Sequence, residues 1–219
     1  MRYRIYAFVI FLVLISCFSF VHAENNQFPL LGKVIYIDIG HGGSDPGAMY
    51  KDIMEKDINL SVGKILEQRL LSLGAIVYLT RYDDYDLSVT YTINNKRSDL
   101  SRRSNLINRS DCDLFLSIHL NAEETGVWRG AQVFYNSKSE RNKQLAELMQ
   151  KHFKKDLNST RKAKVDNELY LLKRIDRPGI LLELGFLSNA NDRYLLRQES
   201  YQNKIVNTIV SALQEYFSL

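Results

Sequence analysis

Four side chains in this sequence carry types that could share one metal ion and one proton: His41, Glu55, His119 and Glu183. Two imidazoles and a carboxylate are a common catalytic zinc set, which leaves a further coordination position for water. A fourth group, a carboxylate off the metal, can then take a proton from that water and hand it to a leaving amine. On this reading His41, Glu55 and His119 are the ligands of one Zn2+ per chain, and Glu183 is the general base and acid. Glu55 has a competing reading as the last residue of a capping box, Asp52-Ile53-Met54-Glu55, bonded back to a helix start. Glu183 has one as the partner of a buried arginine, Arg81 or Arg103, because a carboxylate in so apolar a run is costly unless paired. Two other histidines are set aside: His22 lies in the N-terminal segment, and His152, among lysines, reads as part of a solvated helix face.

The elements that must position these groups are legible from periodicity. Residues 33–39 are a largely β-branched and aromatic run ending at Gly40-His41-Gly42-Gly43, a buried strand followed by a turn that glycine makes easy. Residues 55–73 read as a helix, with Ile58, Val62, Ile65, Leu66, Leu70 and Leu73 on one stripe and Gly74 as its C-terminal cap. Ala75 to Thr80 is a second strand. Arg81 to Asn95 is a polar, tyrosine-rich loop, in which Tyr82, Tyr85 and Tyr91 are either loop anchors or substrate contacts. A helix over 98–109 is expected to turn Leu100, Leu106 and Ile107 inward. Asp113–His119 and Gly130–Tyr135 read as strands, Glu140–Leu157 as a helix, 158–168 as a loose polar segment, and Gly179–Gly185 as a strand. Tyr194–Phe217 reads as a closing helix. Strands alternating with helices argue for an α/β layer architecture. If the strands are parallel neighbours, His41, His119 and Glu183 all gather at their carboxyl ends. Glu55 then joins from the first turn of a crossover helix, where the dipole favours an anion.

The 219 residues suggest one domain, and the apolar fraction of 45% suffices for a core. Arg2 and Arg4 precede a largely apolar run from Ala7 to Val21, and Val21-His22-Ala23 offers a cleavage site. Residues 1–23 therefore read as a signal peptide or N-terminal membrane anchor, 24–32 as a short linker, and 33–219 as the catalytic domain. Leu14-Ile15-Ser16-Cys17 loosely fits a lipid-attachment site, but the apolar Phe18-Ser19-Phe20 after it argues against one. Without Arg2 and Arg4 the formal net charge falls from +4 to +2. That gives no electrostatic case for a nucleic-acid partner. It also leaves Cys112 as the single cysteine, a small buried hydrophobe with no disulfide to form. An exported, extracytoplasmic protein of this kind must be held by its core alone.

Taken together, several stretches carry a resemblance: Ile37-Asp38-Ile39-Gly40-His41-Gly42-Gly43-Ser44-Asp45-Pro46-Gly47, Glu55-Lys56-Asp57-Ile58-Asn59-Leu60, Thr80-Arg81, Arg103 to Asn108, Leu116 to Ala122, and Pro178 to Asn189. From about residue 33 onward the chain resembles the zinc-dependent N-acetylmuramoyl-L-alanine amidases, amidase type 3, and within them the CwlD-type sporulation and germination members. The resemblance implies a single α/β domain with a twisted, mostly parallel sheet of about six strands and helices on both faces. It selects the ligand role for Glu55. It implies hydrolysis of the amide between N-acetylmuramic acid and L-alanine in peptidoglycan, in cell-wall catabolism and spore-cortex modification leading to muramic-δ-lactam. It also implies a protein activator as a partner, and membrane association through residues 1–23. Two departures stand out. Leu120 follows His119 where the family usually has alanine, which would reshape the site wall. The segment before Glu183 is short, with little room for an occluding helix. Two other functions fit the same residues: a zinc peptidase or carboxypeptidase acting on the stem peptide, and a non-catalytic wall-binding regulatory domain.

Overall fold

The computed structural model of the chain describes residues 28–89 and 95–219. The signal peptide or anchor expected at 1–23, and Tyr91, lie outside the described residues. Within the expected linker, Leu30 is fully buried, and residues 28–32 dock on the end of the first helix through bonds such as Leu30 N to Leu73 O (3.1 Å).

Six strands form one sheet. Strand β1 (Val34–Ile39) lies between β4 (Ile76–Leu79) and β5 (Leu114–Asn121), and β8 (Gly179–Phe186) follows β5; these neighbours are all parallel. Beyond β8 the sheet reverses, with β6 (Gln132–Tyr135) antiparallel to β8 and β7 (Lys164–Val165) parallel to β6. A small hairpin, β2 (Met49–Tyr50) and β3 (Ile53–Met54), precedes the first helix. The helices are α1 (Glu55–Ser72), α2 (Asn95–Arg109), α3 (Glu140–Leu157), α4 (Tyr170–Arg174), α5 (Ala190–Leu196) and α6 (Glu199–Phe217). Among the described residues, no helix is long and apolar enough to cross a membrane.

Alternation along the central strands decides which residues face the site. Ile35, Ile37 and Ile39, with Leu114, Leu116 and Ile118 and with Ile180, Leu182 and Leu184, point into the larger core beneath α1, α3 and α6. The intervening residues face the other way. Tyr36, Phe115 and Leu181 pack with Ile107 of α2 and Leu171 and Leu172 of α4 into a smaller cluster. Two residues further along those strands, apolar side chains give way to Asp38, Ser117 and Glu183, and then to His119. The second face therefore changes from core to chemistry at the carboxyl ends of the strands.

Local punctuation follows the sequence in most places. Gly74 closes α1 in a left-handed conformation (φ 87°), with Ala75 N bonded to Leu70 O and Gly74 N to Leu71 O. This is the Schellman arrangement, which a residue with a Cβ adopts at a cost. The closing helix expected from Tyr194 is two helices. Asn189 caps α5 by accepting from the amides of Asn191 and Asp192, and Gln202 reaches back to Leu196 O (2.8 Å) across the break. Strand β7 and Ser159, which is buried, lie in the segment read as loose.

Candidate metal centre

The turn after β1 is held from behind by two arginines. Arg81 and Arg103 are both fully buried. Arg81 donates from Nε to Ile39 O (3.1 Å) and from Nη2 to Gly40 O (3.1 Å). Arg103 donates from Nη1 to Ile39 O (2.6 Å) and from Nη2 to His41 O (2.7 Å). These bonds account for the carbonyls of a turn in which His41 takes a left-handed conformation (φ 63°). That conformation is uncommon outside glycine and is found where surrounding structure imposes it. The clamp fixes the direction in which the His41 ring leaves the chain. Its Nδ1 meets Asp45 Oδ2 at 2.8 Å, which leaves Nε2 facing inward. A carboxylate on the outer nitrogen is the usual device for orienting a metal-binding imidazole.

Glu55 opens α1 but does not cap it. The N-cap is Met54, with no side-chain cap bond, so the capping-box reading of Asp52–Glu55 is not realised. The carboxylate instead points across to the ends of β1 and β5. Oε2 accepts from Ala48 N (2.8 Å); Oε1 accepts from Leu120 N (2.9 Å) and Asn59 Nδ2 (3.2 Å). The same Oε1 lies 3.1 Å from His41 Nε2 and 3.0 Å from His119 Nδ1. Gly47 makes this approach available: its φ is 68°, and a Cβ there would fall 2.5 Å from Glu55 Oε2.

His119 stands beside Glu183 in the parallel β5–β8 register. Its ring meets that of His41 edge to face, with centroids 4.9 Å apart, and it occupies the space a side chain would fill at Gly40, where a Cβ would lie 2.3 Å from His119 Cε1. We therefore expect Gly40→Ala to displace the His119 ring and to weaken any metal binding by these groups about tenfold or more, with the overall secondary structure unchanged by circular dichroism. Normal metal content in that variant would show that the ring is not held there. Leu120 is buried in the core, so its departure from alanine does not shape the site wall; the site uses its amide.

The electrostatics favour a positive charge between these groups. Burial opposes ionisation of Glu55, but hydrogen bonds and charge from His119 and His41 outweigh it and hold its carboxyl well below the usual carboxylate range. Burial likewise opposes a charged His119, yet Glu55, with Glu183 and Asp38, raises it to about 9. Donor atoms of His41, Glu55 and His119 all lie within 4.8 Å of one another. Two nitrogens and an anionic oxygen converging there make a donor set that suits zinc.

Glu183 behaves differently. Burial pushes it up to about 7, with His119 working in the opposite direction. Among the described residues its Oε2 is buried without a hydrogen-bond partner. The arginines that could have neutralised it are spent elsewhere. Arg103 pairs with Asp38 (3.0 Å) and Asp99 (2.7 Å), and Arg81 serves backbone carbonyls. An orphaned buried oxygen needs an explanation. Glu183 itself lines a cavity of about 280 Å³ together with His41, His119 and Asp45.

Sequence reasoning missed the supports. Asp38 is fully buried, accepting from Ser117 Oγ (2.6 Å), Thr80 Oγ1 (3.0 Å) and Arg103. Arg103 faces inward on α2, while Leu106, expected inward, is exposed on the opposite side. His152 is buried rather than solvated, with Nε2 on Glu215 Oε2 (2.8 Å), and it ties α3 to α6. Tyr85 accepts from Tyr82 N and anchors its loop.

Known proteins share this arrangement's frame. Residues 35–215 match the family model described as N-acetylmuramoyl-L-alanine amidase. The germination-specific N-acetylmuramoyl-L-alanine amidase of Bacillus subtilis (strain 168) is 39% identical over 217 residues, covering 95% of this chain and 92% of that protein. LytC, an N-acetylmuramoyl-L-alanine amidase of the same organism, is 30% identical over 89% of this chain and 38% of its own length. Among solved structures, the CwlD amidase of Clostridioides difficile, in complex with the GerS lipoprotein, superposes with a TM-score of 0.81 at 38% identity, covering 85% of this chain and 99% of that one. With the fold, the matched length and these identities in agreement, the chain belongs to the N-acetylmuramoyl-L-alanine amidase family and stands with its CwlD-type, germination-specific members.

Proposed function

We propose that the chain is a zinc amidase in which His41, Glu55 and His119 hold the metal and Glu183 moves the proton, freeing the stem peptide of peptidoglycan from N-acetylmuramic acid. One observation carries this reading: three converging donors within 4.8 Å, beside a buried carboxylate oxygen that nothing else engages. Zinc, when bound, supplies a Lewis acid for an amide carbonyl and lowers the pKa of a water to about 7. The protein's own work lies around that ion. Asp45 holds Nδ1 of His41, so that Nε2 is the nitrogen presented. Leu120 N and Asn59 Nδ2 fix Glu55 Oε1 between the two rings. The Glu183 carboxylate accepts the proton of the attacking water and then donates it to the alanine nitrogen as the carbon–nitrogen bond breaks. A carboxyl held near neutrality is suited to both halves of that exchange.

The setting of the reaction follows from the relatives. The likeness to a germination-specific amidase supports a role in spore-cortex modification. A CwlD amidase in complex with a lipoprotein supports an accessory protein as partner here. Residues 1–23, as a signal peptide or anchor, would place the domain outside the cytoplasm, at the wall or the forespore envelope. Mass spectrometry of peptidoglycan digests tests the activity. Intact stem peptides with a free alanine amine, lost on chelation, are expected. Fragments cut within the peptide would favour a zinc peptidase instead.

A further inference from the structure

The catalytic cavity does not end at Glu183. On its outer side Lys96, Leu100 and Tyr170 form part of its lining, and the same three residues line a second groove, of about 740 Å³, between α2 and α4. That groove is completed by Arg97, Lys173, Arg174 and Glu168. Lys96, Lys173 and Arg174 thus stand around one carboxylate, Glu168, which pairs with Lys173 (2.8 Å). Arg174 lies over the Tyr170 ring, 5.4 Å from its centroid, a stacking that holds a guanidinium in place. The next charged groups inward are committed to each other, Asp99 to Arg103 at 2.7 Å. The groove is therefore a positive trough with apolar walls at Leu100 and Tyr170, and it shares those walls and Lys96 with the catalytic cavity.

A substrate cut at the muramoyl–alanine amide has two unlike halves. The glycan half is neutral around the scissile bond, because the lactyl carboxyl is consumed in the amide. The peptide half carries free carboxylates. We propose that the α2–α4 groove seats the leaving peptide, with Lys96, Lys173 and Arg174 pairing with its carboxylates while Leu100 and Tyr170 line its alkyl portions. The inference rests on the amidase reading and assigns the direction in which the substrate lies: peptide towards α2 and α4, glycan on the far side of His41 and His119. It makes these residues determinants of specificity between acidic and amidated stem peptides.

The test is a binding titration, independent of turnover. The product tripeptide L-alanyl-γ-D-glutamyl-diaminopimelate, and the same peptide with its carboxylates amidated, are titrated into the zinc-loaded protein and into a Lys96→Glu/Arg174→Glu variant. Charge-assisted hydrogen bonds predict about tenfold or greater preference of the wild type for the acidic peptide. The variant is expected to lose that preference. Equal binding of the two peptides by the wild type, or a preference that survives charge reversal, would overturn the proposal. Failure of the amidase reading would appear elsewhere, as absent cleavage of intact muropeptide alongside a peptide preference that persists. Cleavage with no preference would sink only the subsite. A Lys96→Gln/Arg174→Gln variant, carrying no new negative charge, should fall between the two, and thermal unfolding of both variants checks that the groove is intact.

Discussion

Replacing Glu183 with glutamine is expected to lower kcat by about 10²–10⁴, the range that a positioned general acid–base contributes. Zinc content should stay at the wild-type level, because Glu183 is not among the three groups whose donor atoms converge. Folding should be unimpaired or slightly better. The wild-type carboxyl is buried at Oε2 without a partner, and glutamine removes an ionisable group from that position. Together these outcomes separate the proposed role from its rivals. A ligand would lose metal on substitution. Half of a structural ion pair would lose stability, by 3 kcal/mol or more on the order seen for broken buried pairs. Turnover within about threefold of wild type would remove Glu183 from the chemistry altogether and leave its burial unexplained.

The second large effect belongs to Arg103. Substitution by methionine should cost about 3–5 kcal/mol, since it leaves the fully buried Asp38 carboxylate without its cation. For a domain of this size that is a fall in Tm of roughly 10 °C, measurable by calorimetry or thermal circular dichroism. Activity should fall as well, because Arg103 also holds the carbonyls of Ile39 and His41. The effect has a pH signature. Burial opposes the charged form of Asp38, but Arg103, His119 and the Ser117 hydroxyl lower its pKa overall. A carboxyl depressed in the folded state contributes stability above the unfolded value of about 4, and that contribution is lost as pH falls through the folded value. In the variant, burial acts on Asp38 with only His119 and the Ser117 and Thr80 hydroxyls left to oppose it, and protonation relieves the unpaired charge. The gap between the two proteins is thus expected to be widest near neutrality and to close below about pH 4. A gap independent of pH would assign the loss to packing rather than charge.

Much of this arrangement is visible in the letters because strands declare their faces. The runs ending at Ile39, His119 and Glu183 are long, apolar and bounded, so their existence follows from the residues; their parallel stacking is a condition that the β1–β5–β8 pairing meets. Once they stack, the convergence of His41, His119 and Glu183 at one sheet edge is forced. Glu55 was ambiguous for a physical reason. A glutamate near a helix start satisfies a cap as readily as it reaches a metal, and only the Gly47 turn, which brings the β2–β3 hairpin under it, decides between them. The supports were harder to see. Asp38 sits in a strand whose other residues are apolar, and its partners Thr80, Arg103 and Ser117 are distant in sequence, so no local pattern joins them. Arg103 and Leu106 illustrate the same limit: α2 turns a charged face inward because the site needs it, against the hydrophobic stripe that periodicity expects. His152 looked solvated among lysines, yet Glu215, on a helix that follows much later, buries it. The short elements β2, β3, β7 and α4 are too brief to leave a periodic signal, although α4 forms one wall of the groove beside the site.

Metal content measured on purified proteins by elemental analysis bears most directly on the idea that His41, Glu55 and His119 jointly bind one ion. The expected result is one zinc per chain in the wild type and in Glu183→Gln, and a large loss in His41→Ala and in His119→Ala, with all four proteins folded. Zinc retained at full stoichiometry in either histidine variant would contradict it.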